Sequence, residues 1–181
     1  MPPTFRRIVT GHGPDGRSRI ASERTFKRGE IDVMSMPEEP ETMFAEIWRM
    51  AAVGDTDPPD LSSGMPFAFP PPPGGIAIRM CVLPSDSKRN YARHKDHYAA
   101  VGATEGMGEQ TERHPGMHKT DTVDYIVILS GRLRLVLEDG EKMLAPGDVV
   151  IQRGTKHAWS NPDDEPCVLA AIMIDAKPAN R

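Results

Sequence analysis

The sequence predicts an all-β protein, and three observations carry that prediction. Short apolar runs recur at intervals of roughly 8 to 12 residues through the C-terminal part, with turn residues between them. Glycine and proline are abundant, at 16 and 18 of 181 residues, and they fall in clusters that punctuate those runs. No segment holds a clean apolar stripe at helical spacing over three turns. Together these predict short strands joined by turns, closed into a barrel or stacked as a sandwich.

The elements follow in chain order. Ile8-Val9-Thr10 and Ser18-Arg19-Ile20-Ala21 flank the turn-rich Gly11-His12-Gly13-Pro14-Asp15-Gly16, which predicts an N-terminal hairpin. The best helix candidate is Pro40 to Ala51. Its Phe44, Ile47 and Trp48 fit a strand as well, and a strand over Met43 to Met50 is the reading adopted. Trp48 is expected in the core or at a subunit contact. Pro70 to Pro73 cannot join a central ladder and is expected as an extended surface segment. Ile76 to Leu83 is an apolar strand closed by Pro84. Residues 85–117 are polar and glycine-dotted, and are expected as a long loop, with a lid as one use for it.

Residues 118–176 are the most regular. Tyr125-Ile126-Val127-Ile128-Leu129 reads as a buried strand and Ser130-Gly131 as a turn. Arg132 to Glu138 alternates polar and apolar, the period of a strand with one wet face. Arg132 and Arg134 therefore face solvent, or else point inward to meet an anion. Asp139-Gly140 is a strong hairpin dipeptide. Met143-Leu144 begins the return, Ala145-Pro146-Gly147-Asp148 turns, and Val149-Val150-Ile151 is the next strand. Asp148 is expected to bond backbone amides in its turn. His157-Ala158-Trp159 continues after Gly154, Asn161-Pro162-Asp163-Asp164 turns, and Cys167 to Ile174 is the last strand. The division predicted is an N-terminal part over 1–75 that packs on the barrel or on a second subunit, and the barrel itself over 76–176, within one structural domain.

Composition narrows the function. The formal charge is −4 and the pI about 5.9, so no basic surface exists for nucleic acid. There is no helix-turn-helix pattern and no basic arm, which argues against a transcription factor. The N-terminus lacks the apolar stretch of a signal peptide and no run approaches a membrane span, so a cytoplasmic location is expected. Cys81 and Cys167 each lie in an apolar run and are expected to be buried and reduced.

The polar residues with chemical potential are mostly histidines. Four of the six, His94, His97, His114 and His118, lie between 94 and 118, and His157 stands alone among strands. His118 precedes Asp124 by six residues, and Asp124 opens a strand. Two imidazoles and a carboxylate suit a divalent transition metal. His94 and His97 have i, i+3 spacing but sit in the polar stretch, where exposure is expected. Arg153 and Lys156 flank the site and are expected at the surface, with steering of a carboxylate as their alternative role.

The run from His118 to Gly131 resembles the first motif of the cupin superfamily. His118 falls on that motif's first histidine, Thr120 on its second, Asp124 on its glutamate and Gly131 on its closing glycine. The second motif is met by Gly147, Gly154, His157 and Asn161. Three positions depart: Thr120 replaces a histidine, Asp124 is one methylene shorter than glutamate, and Gln152-Arg153 replaces a proline step with the glycine spacing one residue short. The resemblance covers residues 114 to 175.

That resemblance implies a jelly-roll β-barrel with extra N-terminal strands and a site at its open mouth. It implies His118, Asp124 and His157 as metal ligands, with His114 as a replacement ligand, for iron, manganese, nickel or zinc, or a barrel without metal. Thr120, Tyr125, Arg134 and Trp159 are expected to line the substrate pocket, with Ile128, Leu135 and Ile172 in its apolar wall. The function implied is a metal-dependent enzyme acting on an oxygen-rich small molecule, a dioxygenase, decarboxylase or isomerase. A barrel that holds a small ligand without turnover is the alternative, and the missing histidine at Thr120 favours it. A homodimer is expected.

Overall fold

The structure is a computed structural model and describes residues 4–51, 54, 56–103 and 113–177. Eleven strands are described: β1 (Phe5–His12), β2 (Ser18–Phe26), β3 (Val33–Met36), β4 (Glu39–Met50), β5 (Ile76–Leu83), β6 (Thr122–Ser130), β7 (Leu133–Leu137), β8 (Glu141–Leu144), β9 (Val149–Arg153), β10 (His157–Ser160) and β11 (Cys167–Asp175). A six-stranded sheet has the order β3-β4-β5-β11-β6-β9, and a three-stranded sheet the order β10-β7-β8. All of their pairings are antiparallel. The two sheets enclose an apolar cluster that includes Ile126, Leu133, Leu135, Leu169 and Met173, in a jelly-roll arrangement without closing into a continuous ring.

The expected hairpin is present. β1 and β2 form a sheet of their own with a register shift after Val9. Its buried end, Phe26, packs on Val33, Met43, Ala45 and Val82. Arg7 ties the hairpin to β4, donating to the Ile47 carbonyl at 2.8 Å and standing over the Trp48 ring at 5.4 Å. β3 and β4 belong to the same sheet as the barrel strands, because β4 pairs with β5 from Met43 to Met50. Strand, rather than helix, is thus the outcome for residues 40–51.

Two expectations are corrected. Residues 85–117 are not simply a loop: a 3-10 turn at Asp86–Lys88 leads into helix α1 (Tyr91–Ala100). Only His94 and Tyr98 of α1 are buried, a stripe two residues wide and half of it histidine, so hydropathy does not reveal the helix. Residues 104–112 of that stretch lie outside the described residues. The second correction is the phase of β6. Asp124, Ile126 and Ile128 are buried, whereas Tyr125 is 41% exposed. A strand turns alternate side chains to opposite faces, so Tyr125 cannot share the interior with Asp124. Tyr125 and Leu129 join Val149 and Ile151 of the neighbouring edge strand as exposed apolar side chains.

Gly131 makes the turn between β6 and β7 with φ +71°, and an added Cβ would stand 2.6 Å from the Pro166 carbonyl oxygen. Both the left-handed backbone and the backbone contact oppose any side chain there. Gly131→Ala is expected to lower the urea-unfolding free energy by about 1–3 kcal/mol. An unchanged unfolding midpoint would contradict that account of the turn.

Candidate functional site

Arg79 on β5, Asp124 on β6 and His157 on β10, with His94 of α1 and His118 and Thr120 just before β6, line one inner cavity of about 70 Å³. Its apolar wall includes Phe69, Tyr98, Ile126, Trp159, Leu169 and Met173. The volume holds several waters or one functional group of a small molecule.

His118 and His157 are held together by backbone. Each donates its N–H to the other's carbonyl, at 2.8 and 2.9 Å, and their ring centroids are 4.2 Å apart. Nδ1 of His118 lies 2.9 Å from the Gly116 carbonyl and Nδ1 of His157 lies 2.9 Å from the Thr155 carbonyl. A carbonyl only accepts, so both Nδ1 atoms carry hydrogen, and each neutral ring is left with an acceptor at Nε2. Burial pushes His118 down to about 4, and burial with the neighbouring His118 lowers His157 well below its ordinary value. Both imidazoles are neutral at physiological pH.

Asp124 is 4% exposed, and its Oδ1 has no hydrogen-bond partner. Burial pushes its carboxyl up to about 6, with Thr122 and the charge of Arg79 pulling it back only in part. Among the described residues, no three of histidine, cysteine, aspartate and glutamate converge closely enough to hold a metal ion. His118, Asp124 and His157 line one cavity.

The other expected residues divide. Thr120 and Trp159 line the cavity. Tyr125 faces outward, and Arg134 lies on the wet face of β7, 3.8 Å from Glu141. Arg132 pairs with Asp163 at 2.8 Å in solvent. Ile128 and Leu135 are core residues behind the cavity, and Ile172 is only half-buried. His114 packs edge-on against Tyr91, and its Nε2 lies 4.0 Å from Asp86; it is not part of the cavity wall.

His94 contradicts the expectation of exposure. It is 3% exposed, and its Nε2 meets Glu39 Oε1 at 2.6 Å. Burial would raise the Glu39 carboxyl, but the bonds from His94 and Thr42 outweigh it and hold it down to about 2. His97, one turn on, meets Glu38 at 2.9 Å.

Sequence reasoning missed Arg79. It is 1% exposed, and it donates to Glu46 at 3.1 Å, to the Ala68 carbonyl at 2.8 Å and to the Phe69 carbonyl at 2.5 Å. The signal was a lone charge in phase with Ala77, Cys81 and Leu83, all buried on the same face of β5. Asn161, the last position of the second motif, acts structurally, its amide nitrogen donating to the Leu83 and Glu165 carbonyls at 3.0 and 2.9 Å. Gln152, at the lost proline step, secures the turn between β9 and β10 by donating to the Thr155 carbonyl at 3.0 Å.

Residues 103–174 match the family model Cupin_2, described as a cupin domain. The chain carries a cupin domain. Over 71 residues it is 48% identical to oryzines biosynthesis cluster protein J of Aspergillus oryzae, covering 36% of this chain and 40% of that one. Over 66 residues it is 32% identical to the cupin-domain-containing oxidoreductase virC of Hypocrea virens, covering 34% of each. The chain thus spans about two fifths or less of the curated relatives it matches. The crystal structure of a Cupin 2 conserved barrel domain protein from Salinispora arenicola aligns at TM-score 0.46 and 17% identity, over 87% of this chain and 92% of that one. The cupin domain contains both site histidines, Asp124 and Trp159, whereas Arg79 and His94 reach the cavity from outside it.

Proposed function

We propose that this cupin is an enzyme that moves a proton on an oxygen-rich small molecule bound in the inner cavity. The observation that carries the reading is Asp124: a buried carboxyl raised to about 6, with an unpartnered oxygen, on a residue that lines the cavity. A general base works best with a pKa near the operating pH. Oδ1 of Asp124 takes a proton from a substrate O–H, or from a carbon next to a carbonyl. The neutral Nε2 atoms of His118 and His157 accept bonds from substrate hydroxyls and orient them. Relatives named as biosynthesis cluster proteins and as oxidoreductases support a tailoring step on a biosynthetic small molecule. An oxidation would require an electron acceptor in addition to these side chains.

A second reading has one observation in its favour. Both imidazoles are anchored at Nδ1 on main-chain carbonyls, as metal-ligating histidines are, so His118 and His157 would supply two ligands to a divalent cation. Proton exchange separates the readings. Hydroxy ketones incubated with the protein in D2O are expected to gain deuterium beside the carbonyl, followed by NMR, before and after chelation. Exchange that persists after chelation and disappears in Asp124→Asn supports acid–base chemistry. Exchange lost on chelation and restored by iron, manganese, nickel or zinc replaces it with the metal reading. Binding without any exchange leaves a ligand-holding barrel.

A further inference from the structure

Two buried polar atoms of the inner cavity's residues have no partner: the Nε–H donor of Arg79 and the acceptor Oδ1 of Asp124. They sit on strands either side of β11, Arg79 opposite Ala171 and Asp124 opposite Met173. Ala171 and Met173 face the same side and form the cavity wall between them. Arg79 cannot turn away, because its terminal nitrogens are held by Met173 Sδ, Glu46 and the carbonyls of Ala68 and Phe69. Nε of Arg89 is also unpartnered, but it lies 3.9 Å from Glu39 Oε2 and belongs to that ion pair. An unpaired donor and an unpaired acceptor in one cavity are each costly to leave unmade. One group that presents an acceptor oxygen and a hydroxyl answers both.

A second cavity adjoins the first. It has a volume of about 380 Å³ and is lined by Pro70, Pro71, Gly102 and Lys119, among others. Phe69 and Thr120 line both cavities. The inner space suits a compact oxygenated head, and the outer one suits a larger tail against the proline wall.

The geometry points to a hydroxy-carbonyl ligand whose carbonyl oxygen accepts from Arg79 Nε, whose hydroxyl donates to Asp124 Oδ1, and whose tail passes Thr120 and Phe69 into the outer cavity. This deepens the proton-transfer reading by naming its substrate class, and it rests on that reading for the choice of cavity. Binding itself does not depend on turnover.

Ligand-observed NMR on the full chain tests it with four probes. They are 1-hydroxy-1-phenylpropan-2-one, its O-methyl ether, 1-phenylpropan-2-one and the tail-less acetoin. The hydroxy ketone with the phenyl tail is expected to bind best, with the ether and the deoxy compound at least about tenfold weaker. Asp124→Leu should erase the difference between hydroxyl and ether. Thr120→Trp should remove the advantage of the phenyl tail. Equal binding of all four probes, binding of none, or a tail advantage that survives Thr120→Trp would overturn the proposal. The expected binding order without deuterium exchange would retain this site and sink the proton-transfer reading.

Discussion

Asp124→Asn is expected to lower turnover by about 10²- to 10⁴-fold, the usual contribution of a positioned general base, and to make the protein more stable at neutral pH. The two effects have one cause. The folded protein raises this carboxyl from 3.8 to about 6, so the native state holds the proton more tightly than the unfolded chain does. Stability is highest with the group protonated, below 3.8, and is lost as pH rises through about 6. Above that pH the charged, unpartnered carboxylate costs roughly 3 kcal/mol, which the neutral amide does not. His118 works in the opposite sense. Its folded value falls from 6.5 to about 4, so stability is lost as pH drops through that window, by a similar amount. In the wild type the two slopes oppose each other between about pH 4 and 6. The variant lacks the opposing carboxyl slope and should lose stability steeply on acidification. Urea unfolding from pH 4.5 to 8, followed by tryptophan fluorescence, reads both. A variant no more stable than wild type at pH 7.5 would remove the argument for a strained carboxylate.

The largest purely structural effect is expected at Glu46. It is 1% exposed and pairs with Arg79 at 3.1 Å and with Arg49 at 2.8 Å. Glu46→Gln leaves the Arg79 cation fully buried without a counter-charge, which should cost about 3–5 kcal/mol. The double variant Glu46→Gln with Arg79→Met removes both charges and should recover much of that loss, because the penalty lies in the unpaired partner. Thermal or urea unfolding of the two variants provides the check. A double variant no more stable than the single one would show that the arginine is not what Glu46 stabilises.

The legibility of this chain follows the strength of its periodic signals. β5 to β11 were readable because each strand is short, apolar or alternating, and bounded by a turn dipeptide such as Asp139-Gly140. The pairing of His118 with His157 in one cavity was reachable through the two motifs. What could not be read was the parity of β6. An apolar run of five residues, Tyr125 to Leu129, carries no alternation to say which face is buried, and Asp124 settles it only once it is known to point inward. Helix α1 escaped because its buried side is a histidine held by a glutamate 55 positions earlier, a contact without local trace. Arg79 was visible as an anomaly, but its meaning depends on Glu46 and on carbonyls of a loop that the sequence does not place.

His118 and His157 owe their juxtaposition to two main-chain hydrogen bonds, not to their rings. Every residue except proline can make those bonds. The scaffold therefore holds the two positions facing each other whatever side chains they carry. Either imidazole can be exchanged for another group without dismantling the strand ends that present it, and the barrel keeps its shape while its chemistry changes. A site built this way is open to new reactions by single substitutions, each tolerated by the fold before it is useful to the cell.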